Sequence, residues 1–394
     1  MRSGIFVLAM ALSATVTQAD GLDAIIGKAL FEREWVGAPA STDSADGLGP
    51  LFNGRSCASC HHAGGPARFG SNEGNAGISG LAVRVAQPDG TAHPGLGRQI
   101  QDGAVAGLVA EGSINARLIA GELVVSTRLL NAPTVPAIFE TRVAPSLRGT
   151  AALGQIANAA ILSRADPDDH DGDGISGRPH VVLDPDGGRS VGRYGSKASV
   201  ESLMNQMADA AALDLGLSSP LARLPWGDCT RQQIDCLTRP TGRSHRSEGE
   251  ELSVEVLRLL ASYVETLEAR PADLKSEGFR QFEAMGCAVC HVPVMPAEDG
   301  TPLQVFSDLL LHDMGRARSS VIREGSAAPA EWRTAPLRDL APASGARRYL
   351  HDGKAATLAD AIALHGGEAE SARRAFLDGQ GREQRLLLEF LSRL

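Results

Sequence analysis

The chain has 394 residues, 43% of them hydrophobic, which is enough for two or three domains with buried cores. Its formal charge is −9, from 38 basic and 47 acidic side chains, with no long basic run; this excludes a generic phosphate-backbone binder and with it nucleic acid as a partner. Six cysteines are too few for a disulfide scaffold, and aromatic side chains at only 4% leave interior volume to be filled by something else.

Met1-Arg2, the apolar residues 5–12 and the small residues ending at Ala19 have the three parts of a secretory signal. The apolar run is about half the ~20 residues that a membrane span needs, and no later segment is long enough to span. Cleavage after Ala19 would remove Arg2 and leave 37 basic against 47 acidic groups, or −10. The expectation is a periplasmic protein whose cysteines meet an oxidising compartment.

Gly27 and Phe31 then precede Cys57-Ala58-Ser59-Cys60-His61, and Gly278 and Phe282 precede Cys287-Ala288-Val289-Cys290-His291. Two thiols three residues apart can form thioethers with the two vinyl groups of one haem, and the histidine that follows is held under the iron. A redox pair has no need of the histidine, and a zinc ribbon would bring its two C-x-x-C units closer together in sequence. The motifs therefore predict two covalently bound c-type haems, attached at Cys57, Cys60, Cys287 and Cys290 and ligated by His61 and His291. His62, next to the first motif, reads as a polar residue at the haem edge.

After the first motif comes a long Gly-rich stretch, 64–112, read together with 37–56 as loop insertions. Arg142-Val-Ala-Pro145 returns downstream as Arg333-Thr-Ala-Pro336, the third element of a repeated order. Asp169, Asp171 and Asp173 alternate before a glycine like the first half of a calcium loop, although position twelve is His180 instead of glutamate, which excludes a full EF-hand. Calcium and a plain Asp/Gly turn both remain open there. Cys229 and Cys236, spare in an oxidising compartment, read as a local disulfide, with metal ligation second. Residues 248–268 carry a helical apolar period that Pro271 ends, placing a boundary between an N-terminal haem domain, 20–270, and a C-terminal one, 271–394. Leu386, Leu387, Leu388, Phe390 and Leu391 predict a closing amphipathic helix. The expected fold is mainly α, with two cytochrome c-like haem domains and long loop-rich insertions in the N-terminal half.

The stretches GLGPLFNGRSCASCHH (47–62), DGDGISGRP (171–179), SDLLLHDMG (307–315), EWRTAPLRDL (331–340) and LHDGKAATLADAIALHGGEAESAR (350–373) resemble a family of di-haem oxidoreductases. It carries the labels peroxidase and "thiol oxidoreductase" and is related to bacterial di-haem cytochrome c peroxidases and to MauG. The resemblance runs over nearly all the mature chain. It departs from relatives at 149–156, where only Gln155 is polar in place of a glutamate, and at Ser196, where relatives often carry tryptophan. The cysteines give the thiol label no support.

A haem with two strong axial ligands carries electrons, whereas one with an open position can bind peroxide or oxygen. The resemblance places a second ligand of the C-terminal haem on the helix after His351-Asp352-Gly353, at His365; Met314 is the rival, and His365 is favoured. No histidine stands out for the N-terminal haem. His93 reads as an exposed turn, and Met204 and Met207 as core. With that position open, His312, Asp313 and Gln155 are the candidate proton-handling groups. The leading function is a peroxidase-like enzyme that passes electrons from the C-terminal to the N-terminal haem. The alternatives are an electron-transfer cytochrome without catalysis and MauG-like oxygenase chemistry through high-valent iron. The acidic charge suggests a basic small redox donor, a cytochrome c or cupredoxin.

Overall fold

The computed structural model describes residues 16–42, 45–70, 78–183, 187–341 and 347–394. Most of the expected signal lies outside these residues, and the helix Val16–Glu32 continues through the expected cleavage point after Ala19. No helix among the described residues is long and apolar enough to cross a membrane.

The mainly α expectation is corrected: the chain is 29% helical and 20% strand, its strands paired in seven two-stranded sheets among the described residues. Part of the difference lies in 64–112, read as loop, which contains the strand Leu81–Ala86; the rest lies between that stretch and Pro145. Leu81–Ala86 pairs antiparallel with Ile138–Val143, and Gly112–Ile119 with Glu122–Leu129. The second pair closes on Ala120-Gly121, both with positive φ (50° and 83°), the two-residue turn whose twist suits a hairpin. In the first pair Val83 and Val85 enter a small core with Leu96 and Ile100. The strands of the first pair are six residues long and partnered more than fifty residues away, so local composition reads as loop.

Around each Cys-x-x-Cys-His segment two helices cross in the same way. Val16–Glu32 packs on Val254–Glu265, and Glu277–Ala284 on Gly381–Leu391. A Cβ on Gly27 would lie 1.9 Å from the Leu259 carbonyl oxygen, and one on Gly278 would lie 2.4 Å from that of Leu386. Glycine is what lets the backbones approach so closely. One turn on, Phe31 meets Tyr263 edge-on at 5.1 Å and Phe282 meets Phe390 at 5.7 Å. Val254–Glu265 is shorter than the periodicity of 248–268 implies. Glu248 and Gly249 both have positive φ, and Ser253 caps the helix by accepting from the Val256 amide. One hydrophobic cluster joins Leu153, Ile156 and Tyr194 to Val292, Met295 and Leu309, so packing is continuous across residue 270.

Cys229 and Cys236 are joined in a disulfide, with Cα atoms 6.3 Å apart. Their loop is fastened to the N-terminal half by Asp228, which accepts from the Arg98 side chain at 3.0 Å, and by Gln233, which donates to Glu111 at 2.6 Å.

Candidate haem-binding site

Both Cys-x-x-Cys-His segments open onto one cavity of about 1660 Å3. That exceeds the roughly 300–1,000 Å3 of a single small-molecule pocket. Cys57, Cys60, Cys287 and Cys290 are unpaired thiols. Burial, then the Asp214 charge, pushes Cys57 up to about 12 and Cys60 up to about 11; burial pushes Cys287 up to about 11. Thiol–disulfide chemistry needs the opposite shift, toward the thiolate.

Each motif histidine is held by a carbonyl. His61 Nδ1 lies 3.0 Å from the Pro145 oxygen, the end of the first Arg-x-Ala-Pro turn, and His291 Nδ1 lies 3.2 Å from the Phe306 oxygen. A carbonyl only accepts, so Nδ1 carries the proton and the Nε2 lone pair is left for a metal. Burial lowers both pKa values, His291 to about 4 with His365 adding to the effect, so both rings are neutral. His365 repeats the pattern, its Nδ1 donating to the Ala361 oxygen at 2.7 Å. Its ring centre stands 6.4 Å from that of His291. Two imidazoles bonded to one metal through nitrogens at about 2 Å have ring centres about 6 Å apart. Met314 also lines the cavity. No histidine ring pairs with His61 in this way among the described residues.

The walls suit a large apolar group with acidic edges. Arg333 and Arg338 line the cavity with no carboxylate in salt-bridge range among the described residues, and burial lowers them to about 10 and about 9. Arg333 donates to the Gly195 oxygen, and Arg338 to the Gly149 oxygen and the Thr150 hydroxyl. Half-buried guanidiniums without a counter-ion among the described residues fit the carboxylates of a haem. Beside them Trp332 stacks on His351 at 4.9 Å, with Lys197 Nζ 4.6 Å and Arg142 5.0 Å from the indole centre.

The other expected site residues divide. His312 is buried next to Cys290 and held between two carboxylates, Asp308 at 2.9 Å and Glu368 at 2.6 Å. Burial opposes its charge, but Asp308, Cys290 and Glu368 outweigh it and push the imidazole up to about 12, so this ring is a fixed cation. Asp313 is exposed and caps Gly315, whose amide it accepts at 2.7 Å; Gln155 is also exposed, and neither lines the cavity. The Asp169, Asp171 and Asp173 carboxylates lie within 4.8 Å of one another. They also accept from amides of their own loop, those of Gly174, Asp173 and Ile175. His180 is buried away from that loop, its Nδ1 donating to the Lys197 oxygen at 2.6 Å and its Nε2 accepting from the Ser326 amide. His93 is buried, not exposed as a turn residue, and bonds Val135 and Gly95 through its two ring nitrogens. Met204 and Met207 pack against the core cluster of Leu252 and Leu257.

Sequence reasoning missed Asp308, Glu368, Arg84, Asp209 and Asp214. The one available signal was at Arg84, the lone charge in the alternating apolar run Leu81–Ala86.

No curated protein matches the chain. A solved structure of Kuenenia stuttgartiensis hydrazine synthase, pressurised with xenon, is similar at 15% identity and a TM-score of 0.34, over 100% of this chain and 98% of that one. A family model described as "Di-haem oxidoreductase, putative peroxidase" matches residues 125–394, a span that takes in the second Cys-x-x-Cys-His segment and leaves out the first. With more than half its length matched, the chain belongs to the di-haem oxidoreductase family.

Proposed function

We propose that the chain is an exported, periplasmic enzyme that reduces hydrogen peroxide. It carries one covalently attached haem c on each side of residue 270, bound through Cys57 and Cys60 and through Cys287 and Cys290. Electrons arrive from a small basic cytochrome c or cupredoxin, drawn by the protein's net charge of −9. They pass from the C-terminal to the N-terminal haem. The single observation that carries this reading is the asymmetry of the histidines: His291 faces His365 at 6.4 Å, while His61 has no such partner among the described residues. When bound, haem supplies the one-electron chemistry and, where a position is open, a place for peroxide. Pro145 and Phe306 fix the histidine tautomers, and Arg333 and Arg338 would neutralise the cofactor's carboxylates. Calcium at Asp169, Asp171 and Asp173 is not needed for this reading.

The test is to reduce the purified protein and add peroxide. Stoichiometric reoxidation in the absorption spectrum is expected. An unmoved spectrum rejects the peroxidase, and with both haems six-coordinate leaves an electron-transfer protein. Turnover with oxygen but not peroxide instead favours a MauG-like or oxygenase activity.

A further inference from the structure

Asp214 marks the side of the cavity next to the first motif: its backbone oxygen accepts from the Asn53 and Gly54 amides at 2.8 and 3.1 Å, just before Cys57. Its carboxylate is already engaged, accepting from Gln99 Nε2 at 2.6 Å. Two elements face this region. On the helix Leu203–Ala210, Gln206 and Asp209, three apart and so on one face, both line the cavity. On the strand Leu81–Ala86, pairing with Ile138–Val143 places Val83 and Val85 in a core, while Arg84 and its register partner Glu140 line the same cavity.

These three side chains are unsatisfied in complementary ways. Gln206 Oε1 is buried without a donor. The Asp209 carboxyl makes no hydrogen bond or salt bridge among the described residues, and neither does the Arg84 guanidinium. Arg84 is held beside Asp214 by its backbone bridge to Gln99, which donates to Asp214, and Met207, two residues before Asp209, packs with Cys57 against the Phe31 and Leu260 cluster. Burial raises the carboxyl of Asp209, against the pull of Arg98 and Arg84, with Glu201 adding to the rise. Burial lowers Arg84, with Asp214 and Glu324 opposing and Arg142 and Arg98 reinforcing. Half-buried polar side chains of both signs, without partners and lining one cavity, call for a small ligand that both donates and accepts.

The geometry points to Asp209 as the proton-transferring residue for peroxide at the N-terminal site, with Gln206 accepting from the substrate and Arg84 donating to it. This rests on the peroxidase reading above and assigns its chemistry to residues outside the set His312, Asp313 and Gln155. The step balances as H2O2 + 2 H+ + 2 e− → 2 H2O, with both electrons supplied through the haems by the small redox protein. Asp209 takes the proton from one peroxide oxygen and returns it to the other, which leaves as water when the O–O bond breaks; the oxygen left behind takes up the two electrons, and two protons from solvent, and departs as the second water. Arg84 stabilises the negative charge that develops on the leaving oxygen.

The test uses the two-haem protein and two readouts: the rate of reaction with peroxide and the rate of cyanide binding to the oxidised protein. Hydrogen cyanide must also lose its proton on binding, yet it is not turned over. Asp209→Asn is expected to slow the peroxide reaction by about 100-fold or more and cyanide binding by about tenfold; Asp209→Glu restores most of both. Arg84→Leu is expected to slow peroxide by about 100-fold and leave cyanide binding within a fewfold. Wild-type values for both readouts in a folded Asp209→Asn protein overturn the assignment while leaving the peroxidase intact. If the wild type ignores peroxide but its cyanide binding still depends on Asp209, the proton-transfer role stands and the substrate reading falls. Should Asp209→Asn fail to fold, Gln206→Leu and Arg84→Leu decide, and unchanged peroxide rates in both reject the site.

Discussion

The two motif regions share a frame and differ in what faces the motif histidine. In each, a glycine-mediated helix crossing backs the Cys-x-x-Cys-His segment, and a carbonyl fixes the histidine tautomer. Across the cavity the C-terminal region presents a second imidazole, His365, and next to Cys290 a closed charge cluster of His312, Asp308 and Glu368. The N-terminal region instead presents Gln206, Asp209 and Arg84, whose side chains line the cavity and make no hydrogen bond or salt bridge among the described residues. A site whose polar groups are all satisfied has little left to offer a reactant. One whose groups are open is poised to bind something and move its protons. On the proposed function, the same local scaffold would serve electron storage at one end and chemistry at the other.

The largest effect should come from removing an attachment. Cys287→Ser with Cys290→Ser is expected to lower the haem content of denatured protein from two per chain to one, and Cys57→Ser with Cys60→Ser to do the same. If either pair keeps both haems through denaturation, that motif is not an attachment site.

Next is the charge cluster, which belongs to the C-terminal region alone. His312→Gln removes the only cation between Asp308 and Glu368, both side chains under 10% exposed, and is expected to cost about 3–5 kcal/mol. Because the folded imidazole is raised to about 12, its stabilisation is complete below the ordinary value near 6.5 and is lost as pH climbs toward 12. The Tm gap between wild type and His312→Gln should therefore be widest near pH 6 and narrow steadily into the alkaline range. A gap that widens with pH contradicts a buried imidazolium.

The smallest effects probe the shared frame. Gly27→Ala and Gly278→Ala each force a Cβ into a carbonyl and should cost about 1–3 kcal/mol in denaturant titrations. The closer approach at Gly27, 1.9 Å against 2.4 Å, predicts the larger loss there. Equal or negligible losses would mean that the helices slide apart at little cost.

The chemistry was more legible in the sequence than the architecture. Cys57, Cys60, His61 and their C-terminal counterparts form contiguous motifs, so their grouping needs no fold. The Gly/Phe spacing shows half of each helix crossing, since residues four apart share a helix face. The partner at Leu259 or Leu386 is set by tertiary packing and leaves no local mark. The strands Leu81–Ala86 and Ile138–Val143 were hidden for a related reason: each is six residues long and pairs with a segment about fifty residues away. That blind spot also hid Arg84, whose facing is set by strand register. Asp209 lay in an alanine-rich stretch that reads as core, and Asp308 and Glu368 become a pair only through His312.

The asymmetry between the two regions is tested most directly by electron paramagnetic resonance of the oxidised resting protein, alone and as His365→Ala. One low-spin signal from a haem with two imidazole ligands and one high-spin signal are expected, and His365→Ala should abolish the low-spin signal while leaving the high-spin one. Two low-spin signals in the wild type, or a low-spin signal that survives His365→Ala, would contradict the division between an electron-carrying and a reactive haem.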